Sequence, residues 1–144
     1  IIKGIHQPMR ITVDGERVFQ GRHSLVCVCN GRYYGGGYMP VPEAEPDDGY
    51  IDCLIVKKVS RLKLAQLIGK YAKGLYADMP DVITKVTAKR IEIELDREDS
   101  VNLDGELIKA KNIVFEVPEE KLNFFFPKGT SYVHKSRQQD EAMV

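Results

Sequence analysis

The sequence predicts a mainly β protein, a two-layer β-sandwich or open barrel with one packed helix. Most of its ordered segments are apolar runs of strand length or alternate apolar with polar residues. Turn residues such as Asp-Gly separate these segments, and helical spacing of apolar residues occurs in one stretch only. With 144 residues, the chain has the length of one ordinary domain.

The predicted strands begin with a hairpin. MRITV and RVFQG flank Asp14-Gly15, a dipeptide that supplies the positive φ angles of a two-residue turn. SLVCVCN follows as a nearly continuous apolar run, typical of a buried strand. The later strand candidates are YIDCLIV, RIEIEL, SVNLDGELIKA, NIVFEVP and KLNFFFP.

One helix is predicted, from Ser60 as its N-cap to about Tyr76. Its apolar stripe has helical spacing and consists of Leu64, Ile68, Tyr71 and Leu75. Its other faces carry the basic residues Arg61, Lys63, Lys70 and Lys73. We interpret these as a solvated surface, with peripheral contact to an anionic membrane as the alternative.

Charge and hydropathy exclude several classes of protein. Lys and Arg total 21 and Asp and Glu total 21, so the formal net charge is zero and nucleic acid is not an expected partner. No apolar run approaches the roughly 20 residues that a membrane helix needs. Beyond residue 127 the sequence is polar and lacks a period, so we assign 1–127 to the β domain and 128–144 to a C-terminal tail.

The cysteines and histidines indicate neither disulfides nor a zinc site. Cys27 and Cys29 are two residues apart on a predicted strand, a spacing that fits neither, and we expect reduced, buried thiols in a cytoplasmic protein. His6, His23 and His134 are widely separated, and no nucleophile elbow or Walker-type phosphate loop occurs. Hydrolase and zinc-enzyme functions therefore have little support.

Two loop segments are candidates for binding. Asn30 begins a segment in which Gly35, Gly36 and Gly37 are consecutive, which indicates either close approach of a ligand or chain segment, or a wide turn between strands. The acidic turn Pro42–Asp52 offers carboxylates beside turn carbonyls, the oxygen ligands of Mg²⁺ or Ca²⁺. Acidic turns without a metal are also common.

A third segment could carry catalysis. Asp104 and Glu106 flank Gly105, and two carboxylates in one turn could supply a base for a substrate hydroxyl and a handle for Mg²⁺ and phosphate. The same tripeptide occurs at Asp14-Gly15-Glu16, so by itself each copy indicates a hairpin turn.

The order of these segments resembles the C-terminal half of the diacylglycerol kinase and sphingosine kinase family of lipid kinases. NGRYYGGGYMPVPEAEPDDGYIDCLIVKKVSRLKLAQLIGKYAKG is followed by AKRIEIEL and then by VNLDGE. Members of that family join an N-terminal α/β nucleotide-binding domain, with a Gly-Gly-Asp-Gly loop, to a C-terminal β-sandwich domain. Because Gly-Gly-Asp-Gly does not occur here, the resemblance implies the second domain of a two-domain kinase, inactive without its ATP-binding partner domain.

The resemblance implies specific roles for the turn residues. Asp104 corresponds to the general base that accepts the proton of the lipid hydroxyl, and Glu106 lies near the nucleotide and the catalytic Mg²⁺. A structural Mg²⁺ corresponds to the carboxylate of Asp48 with the backbone carbonyls of Glu45 and Tyr50. Asp14 and Glu16 receive no catalytic role.

The remaining implications concern substrates and partners. Asn30 and the residues Gly35, Gly36 and Gly37 would face the cleft between the two domains, where ATP donates its γ-phosphate to a diacylglycerol- or sphingosine-type lipid. An extra proline in Tyr38–Pro42 departs from the family pattern and leaves the acceptor open. An exposed interdomain face would favour homodimers. The alternative function is a non-catalytic β-sandwich that binds a lipid or a partner protein.

Overall fold

The structure, a computed structural model, describes residues 6–120 together with 122, 123, 125, 127 and 128. The described residues form six strands, an α-helix and a short 3₁₀-helix: β1 Gln7–Val13, β2 Arg17–Cys29, β3 Ile51–Lys57, α1 Arg61–Ala72, 3₁₀ Tyr76–Asp78, β4 Ile83–Ala88, β5 Arg90–Leu103 and β6 Glu106–Glu116. The prediction of a mainly β fold with one α-helix is confirmed. His134, nearly all of the predicted tail and three of the seven residues of the predicted KLNFFFP strand lie outside the described residues; the four described residues of KLNFFFP are not in a strand.

Several predicted strands prove to be parts of longer ones. RVFQG and SLVCVCN belong to β2, RIEIEL and SVNL belong to β5, and ELIKA and NIVFE belong to β6. The strand β4 is absent from the predictions, because its sequence ITKVTA gives only a weak alternation. Pairing with β3 from Ile51↔Ala88 to Val56↔Ile83 defines it instead.

The strands form one open antiparallel sheet in the order β4-β3-β2-β1-β5-β6. The first part of β2, up to His23, pairs with β1, whereas Leu25–Cys29 pairs with β3. The register shifts between His23 and Leu25, as at a β-bulge. Because β2 takes part in both halves of the sheet, the two halves can face each other as the layers of a sandwich do.

Two clusters of buried side chains stabilise this arrangement. The first consists of buried side chains of β1, β3, β4 and β5, with partly buried side chains of β2 and β6 packed against them. Its most buried members are Ile11, Cys53, Ile55, Ala88 and Ile91. The second lies where α1 packs on the sheet and includes Cys29, Leu54, Val56, Leu67, Tyr71 and Ile83. Consecutive residues of β3 enter different clusters, so β3 is buried on both faces, which explains its nearly continuous apolar sequence.

The helix begins as predicted but ends earlier and is rotated. The Ser60 hydroxyl accepts a hydrogen bond from the Lys63 N–H at 3.2 Å, which confirms the N-cap. The buried face consists of Leu67 and Tyr71, whereas Ile68 is 51% exposed. The predicted stripe is therefore wrong at Ile68, and also at Leu75, which lies beyond the end of the helix and is exposed.

The C-terminal end of α1 is fixed by a glycine. Gly74 has φ +71° and donates its N–H to the Tyr71 carbonyl at 3.1 Å. A Cβ atom at Gly74 would lie 2.2 Å from Cγ of Pro42 and 2.8 Å from the Met39 carbonyl oxygen. The helix therefore ends at Ala72 rather than near Tyr76, because the chain must turn where the loop before β3 packs against it. Within the described part of the chain, no helix is long and apolar enough to cross a membrane.

The cysteines are as predicted in their chemical state. Cys27, Cys29 and Cys53 are all free; Cys29 and Cys53 are buried, whereas Cys27 is only partly buried.

Candidate functional site

The two Asp-Gly-Glu tripeptides both form hairpin turns, but their aspartates differ in what they contact. Asp104 has φ +49° and Gly105 φ +103°, and Leu103 pairs directly with Glu106, so the turn between β5 and β6 has two residues. Asn102 Oδ1 accepts the Gly105 N–H at 2.8 Å and closes the turn. Among the described residues, nothing bonds to the Asp104 carboxylate, and Asp104 and Glu106 are both exposed.

The Asp14 carboxylate is used by the fold. Its Oδ1 accepts the N–H groups of Lys89 at 3.0 Å and Arg90 at 2.9 Å, where β4 passes into β5. The turn has the predicted positive φ angles, +50° at Asp14 and +74° at Gly15, but Glu16 is an additional loop residue because Val13 pairs with Arg17. The loop of this hairpin is therefore one residue longer than predicted. The contacts of Asp14 support its assignment to a structural turn.

The acidic turn is ordered by side-chain bonds to its backbone. Asp48 Oδ1 accepts the Tyr50 N–H at 2.9 Å, which makes an Asx-turn, and Gly49 between them has φ +81°. The Glu45 side chain is 3% exposed and pairs with Arg32, whose terminal nitrogen lies 2.9 Å from Oε1. Because Arg32 forms an ion pair with the Glu45 carboxylate, the backbone carbonyl is the group of Glu45 that is suited to bind a metal ion.

The structure brings the glycine segment and the acidic turn together. Besides its bond to Glu45, Arg32 donates from Nε to the Ala44 carbonyl at 3.2 Å, and a Cβ on Gly31 would lie 3.8 Å from Cγ of Pro46. In the part of the chain that is described, no hydrogen bond or ion pair joins either segment to Asp104 or Glu106. The chain thus presents two separate groups of predicted site residues.

The glycines are explained by a tight turn. Tyr34 and Tyr38 exchange backbone hydrogen bonds of 3.0 and 3.1 Å, and Gly35, Gly36 and Gly37 between them all have positive φ. Nothing lies within 4 Å of the positions where their Cβ atoms would be, so backbone conformation rather than crowding requires glycine. Together with Asn30, these glycines are exposed, which leaves the turn accessible to a ligand.

A charged network around one buried carboxylate lies near the acidic turn, and the sequence patterns did not predict it. Asp52, on β3, is 1% exposed; its Oδ1 accepts from the Thr87 hydroxyl at 2.6 Å and lies 3.3 Å from Lys85 Nζ. Lys85 also lies 2.7 Å from Glu43 Oε1, to which the Tyr76 hydroxyl donates. The signal for this network is an aspartate inside the apolar run YIDCLIV, because a carboxylate there needs buried partners.

The pKa of Glu43 is shifted by its neighbours in this network. Burial tends to raise its pKa, but hydrogen bonds from Lys85 and Tyr76 outweigh burial and hold the pKa below the ordinary value. The network therefore holds Glu43 as a carboxylate beside the ammonium group of Lys85. It attaches the acidic turn, through Glu43, to the neighbouring strands β3 and β4.

The donor set of the predicted Mg²⁺ site consists of one carboxylate and two carbonyls. Among the described residues, no group of three or more His, Cys, Asp and Glu side chains is arranged to hold a metal ion. A site built from Asp48 and the carbonyls of Glu45 and Tyr50 has a different composition, and its hard oxygen ligands suit Mg²⁺ with water completing the coordination. The residues present thus fit the ion chemically.

Comparison with protein families gives a match over most of the chain. Residues 5–126 match the family model described as the YegS C-terminal NAD kinase beta sandwich-like domain. A probable lipid kinase YegS-like from Stenotrophomonas maltophilia is 26% identical over 124 residues, which are 85% of this chain and 40% of that protein. A diacylglycerol kinase from Mycobacterium tuberculosis is 32% identical over 87 residues, which are 60% of this chain and 28% of that protein.

Solved structures agree with these matches. A crystal structure of a diacylglycerol kinase from Bacillus anthracis has a TM-score of 0.58 at 27% identity, and the match covers 76% of this chain and 39% of that one. A candidate diacylglycerol kinase from the same organism has a TM-score of 0.63 at 33% identity over 79% of this chain and 39% of that one. The chain thus spans about two fifths or less of the length of the relatives cited here.

Proposed function

Because the chain belongs to the YegS C-terminal domain family of diacylglycerol kinase-like lipid kinases, we propose that it contributes the acceptor-side catalytic groups of an ATP-dependent lipid kinase. The observation that carries this proposal is the contrast between its two Asp-Gly-Glu turns. The Asp14 carboxylate accepts hydrogen bonds from two backbone N–H groups. The carboxylate of Asp104 is exposed and, among the described residues, makes no hydrogen bond. A general base needs a carboxylate that can reach substrate.

In the proposed reaction, Asp104 accepts the proton of a lipid hydroxyl. As the proton leaves, the hydroxyl oxygen bonds to the γ-phosphorus of ATP, and the bond between that phosphorus and the oxygen of the departing ADP breaks. Such a transfer depends mainly on positioning and charge neutralisation. Glu106 follows Asp104 by two residues at the same turn and would hold the catalytic Mg²⁺ near the phosphates. When bound, Mg²⁺ neutralises the charge that develops on the transferred group.

The nucleotide is proposed to bind mainly to a second domain of the same polypeptide. The phosphate-binding motif of the family does not occur in this chain, and the two groups of predicted site residues are not joined by bonds among the described residues. We propose that Asn30 and the turn formed by Gly35, Gly36 and Gly37 face the cleft between the domains. There the exposed backbone N–H and C=O groups of the turn can bond to the polar part of a substrate.

Phosphoryl transfer by the kinase that joins this chain to its nucleotide-binding domain tests the role of Asp104. With labelled ATP, Mg²⁺ and a panel of lipids in mixed micelles, we expect Asp104→Asn to lower kcat by at least about a hundredfold, the usual contribution of a general base. The matched control Asp14→Asn changes an identical tripeptide and should keep kcat near that of the wild type. The chain alone should transfer no label.

The outcomes separate the two candidate functions. Wild-type turnover in Asp104→Asn would remove Asp104 from the mechanism. If the folded two-domain wild type binds ATP but labels none of the lipids, the non-catalytic binding domain becomes the better description. A single labelled lipid would identify the acceptor, because the panel includes diacylglycerol, sphingoid bases and ceramide.

The proposed structural Mg²⁺ site is tested by thermal unfolding of the chain. Mg²⁺ should raise the Tm of the wild type, since a ligand that binds only the native state stabilises it. Asp48→Asn keeps an oxygen to accept the Tyr50 N–H but removes the charge, so it should lose this Mg²⁺-dependent shift. The neighbouring substitution Asp47→Asn is the control and should retain the shift. An equal Mg²⁺ response in all three proteins would contradict the assignment.

A further inference from the structure

Two cysteines of β2 lie side by side on the surface of the sheet that α1 covers. Cys27 and Cys29 are two residues apart, so their side chains point to the same face of the strand, and their Sγ atoms are 3.4 Å apart. Cys29 and Cys27 belong to the cluster that contains Leu67 and Tyr71 of α1. Cys53, on the adjacent strand β3, belongs to the other cluster. The pair is thus separated from the third cysteine by the sheet itself.

Tyrosine hydroxyl groups connect this pair to the surface. The Tyr71 side chain interacts with the Cys27 thiol and helps to lower its pKa, and the Tyr71 hydroxyl lies 3.1 Å from that of Tyr34. Tyr34 is 44% exposed and forms one end of the glycine turn. The adjacent helix residue Ala72 accepts the Met39 N–H at 3.0 Å, so the same part of α1 also contacts the chain just after the glycine turn. A polar path therefore leads from Cys27 to a solvent-exposed loop.

The two thiols differ in acidity because they share one hydrogen bond. The bond from Cys29 lowers the pKa of Cys27 to about 7, aided by Tyr71 and opposed by burial. The same bond, together with burial, raises the pKa of Cys29. Since the thiolate is the nucleophile, Cys27 is suited to react first and Cys29 to react second as a thiol.

We propose that Cys27 and Cys29 form a peroxide-sensitive dithiol that closes reversibly to an intrastrand disulfide. The Cys27 thiolate attacks one oxygen of hydrogen peroxide, the O–O bond breaks, and the departing hydroxide takes up a proton to become water. The sulfur of Cys29 then attacks the resulting sulfenic acid, the S–S bond forms, the S–O bond breaks, and a second water leaves with the proton of Cys29. The two thiols lose two electrons and two protons in total, and the peroxide is reduced to two waters.

The spacing of the pair favours a disulfide that is easily reduced. Residues two apart on a strand have Cα atoms about 6.6 Å apart, near the upper limit of about 6.8 Å for a disulfide. Closure requires the sulfur atoms to move from 3.4 Å to bonding distance, which bends β2 locally. A bond formed under such constraint is more reducible than a relaxed one. Reversible switching therefore suits this site better than permanent crosslinking.

Closure would change the contacts of the glycine segment. In the disulfide, the Cys27 sulfur carries neither a proton nor a negative charge, so its interaction with Tyr71 is weakened. The Tyr71 hydroxyl, which also contacts that of Tyr34, is then free to change its orientation. This inference concerns the cysteines and their neighbours, and it does not depend on the proposed kinase function.

Mass spectrometry of the full chain tests the proposal. The protein is treated with hydrogen peroxide, unfolded, alkylated with iodoacetamide and digested, with and without prior dithiothreitol. We expect the peptide that carries Cys27 and Cys29 to lose both alkylation sites and the mass of two hydrogen atoms, and dithiothreitol to restore them. Cys53 should remain available for alkylation at the same peroxide concentration, because its pKa is raised, mainly by burial.

Variants separate the two steps of the reaction. Cys27→Ser should abolish disulfide formation, and Cys29→Ser should stop at a sulfenic acid on Cys27 that dimedone captures. Cys53→Ser is the matched control and should react as the wild type does. The proposal is overturned if Cys53 oxidises as readily as the pair, if the disulfide joins two chains, or if the wild-type pair stays reduced while a free peptide of the same sequence oxidises. The outcomes measured on the wild type test the proposal even if a variant fails to fold.

Discussion

Asp14 and Asp104 show how little of a residue's role is set by its immediate neighbours. Both precede Gly-Glu, both begin a hairpin turn, and their φ angles are +50° and +49°. Aspartate tolerates this left-handed conformation, so the local sequence explains both turns equally well. The difference comes from residues far along the chain, because Lys89 and Arg90 present N–H groups to Asp14. Only the folded chain distinguishes the structural aspartate from the proposed base.

The charged network around the buried Asp52 leads to a prediction about the stability of the protein. Removing Lys85 would leave Asp52, which is 1% exposed, without its cation. We expect Lys85→Met to lower the free energy of unfolding at neutral pH by about 3 kcal/mol, in the range for a buried ion pair that loses one partner. Urea unfolding measures this loss, and Lys57→Met, at an exposed position of β3, is the control. A loss no larger than that of the control would show that the network contributes little.

The same network predicts how the stability of the protein changes with pH. Since the folded state lowers the pKa of Glu43, its carboxylate stabilises the protein above the ordinary pKa of glutamate, and this contribution disappears as the pH falls through the lowered value. The destabilisation caused by Lys85→Met should therefore shrink in acid, where the wild type also loses the Glu43–Lys85 attraction. If the stability difference between the wild type and Lys85→Met grew as the pH fell, the result would contradict the ion pair of 2.7 Å between Glu43 and Lys85.

At the scale of elements, α1 combines a buried face with a basic outer surface. From Lys57 to Lys73 the chain contains six basic residues and no acidic ones, whereas the formal net charge of the whole protein is zero. Leu62 is 73% exposed on the same helix. Clustered lysines and an exposed leucine are typical of a surface that contacts anionic lipid headgroups. We therefore propose α1 as a contact surface for anionic lipid headgroups, which is the alternative to a solvated face.

Vesicle binding tests this role of the helix. The full chain should bind vesicles that contain phosphatidylserine and not those of phosphatidylcholine alone. The double variant Lys63→Glu/Lys73→Glu should weaken binding, since each lysine near an anionic surface contributes roughly 1 kcal/mol. The charge-matched control Lys109→Glu/Lys111→Glu lies on β6 and should bind as the wild type does. Equal weakening in both variants would mean that overall charge, rather than α1, governs binding.

At the scale of the whole molecule, the register shift in β2 marks the point where its pairing passes from β1 to β3. One part of the strand pairs with β1 and the other with β3, so side chains of all six strands can share a single core cluster. The helix covers the outer surface of β2, β3 and β4, and its C-terminal end contacts the loop that leads to the acidic turn. The glycine segment and the acidic turn therefore belong to one packed unit. The hairpin that carries Asp104 is a separate feature, formed by β5 and β6.

The sequence by itself determined the mainly β class, the N-cap at Ser60, the positions of both Asp-Gly turns and the free cysteines, because each depends on local backbone preference, periodicity or residue type. Family membership also followed from the order of motifs. Tertiary structure alone decided the strand order, the joining of short apolar runs into β2, β5 and β6, and the rotation of α1 toward Leu67. It also decided the partners of Asp14, Asp52 and Cys27. These features depend on contacts between residues far apart in the chain, which local sequence patterns do not encode.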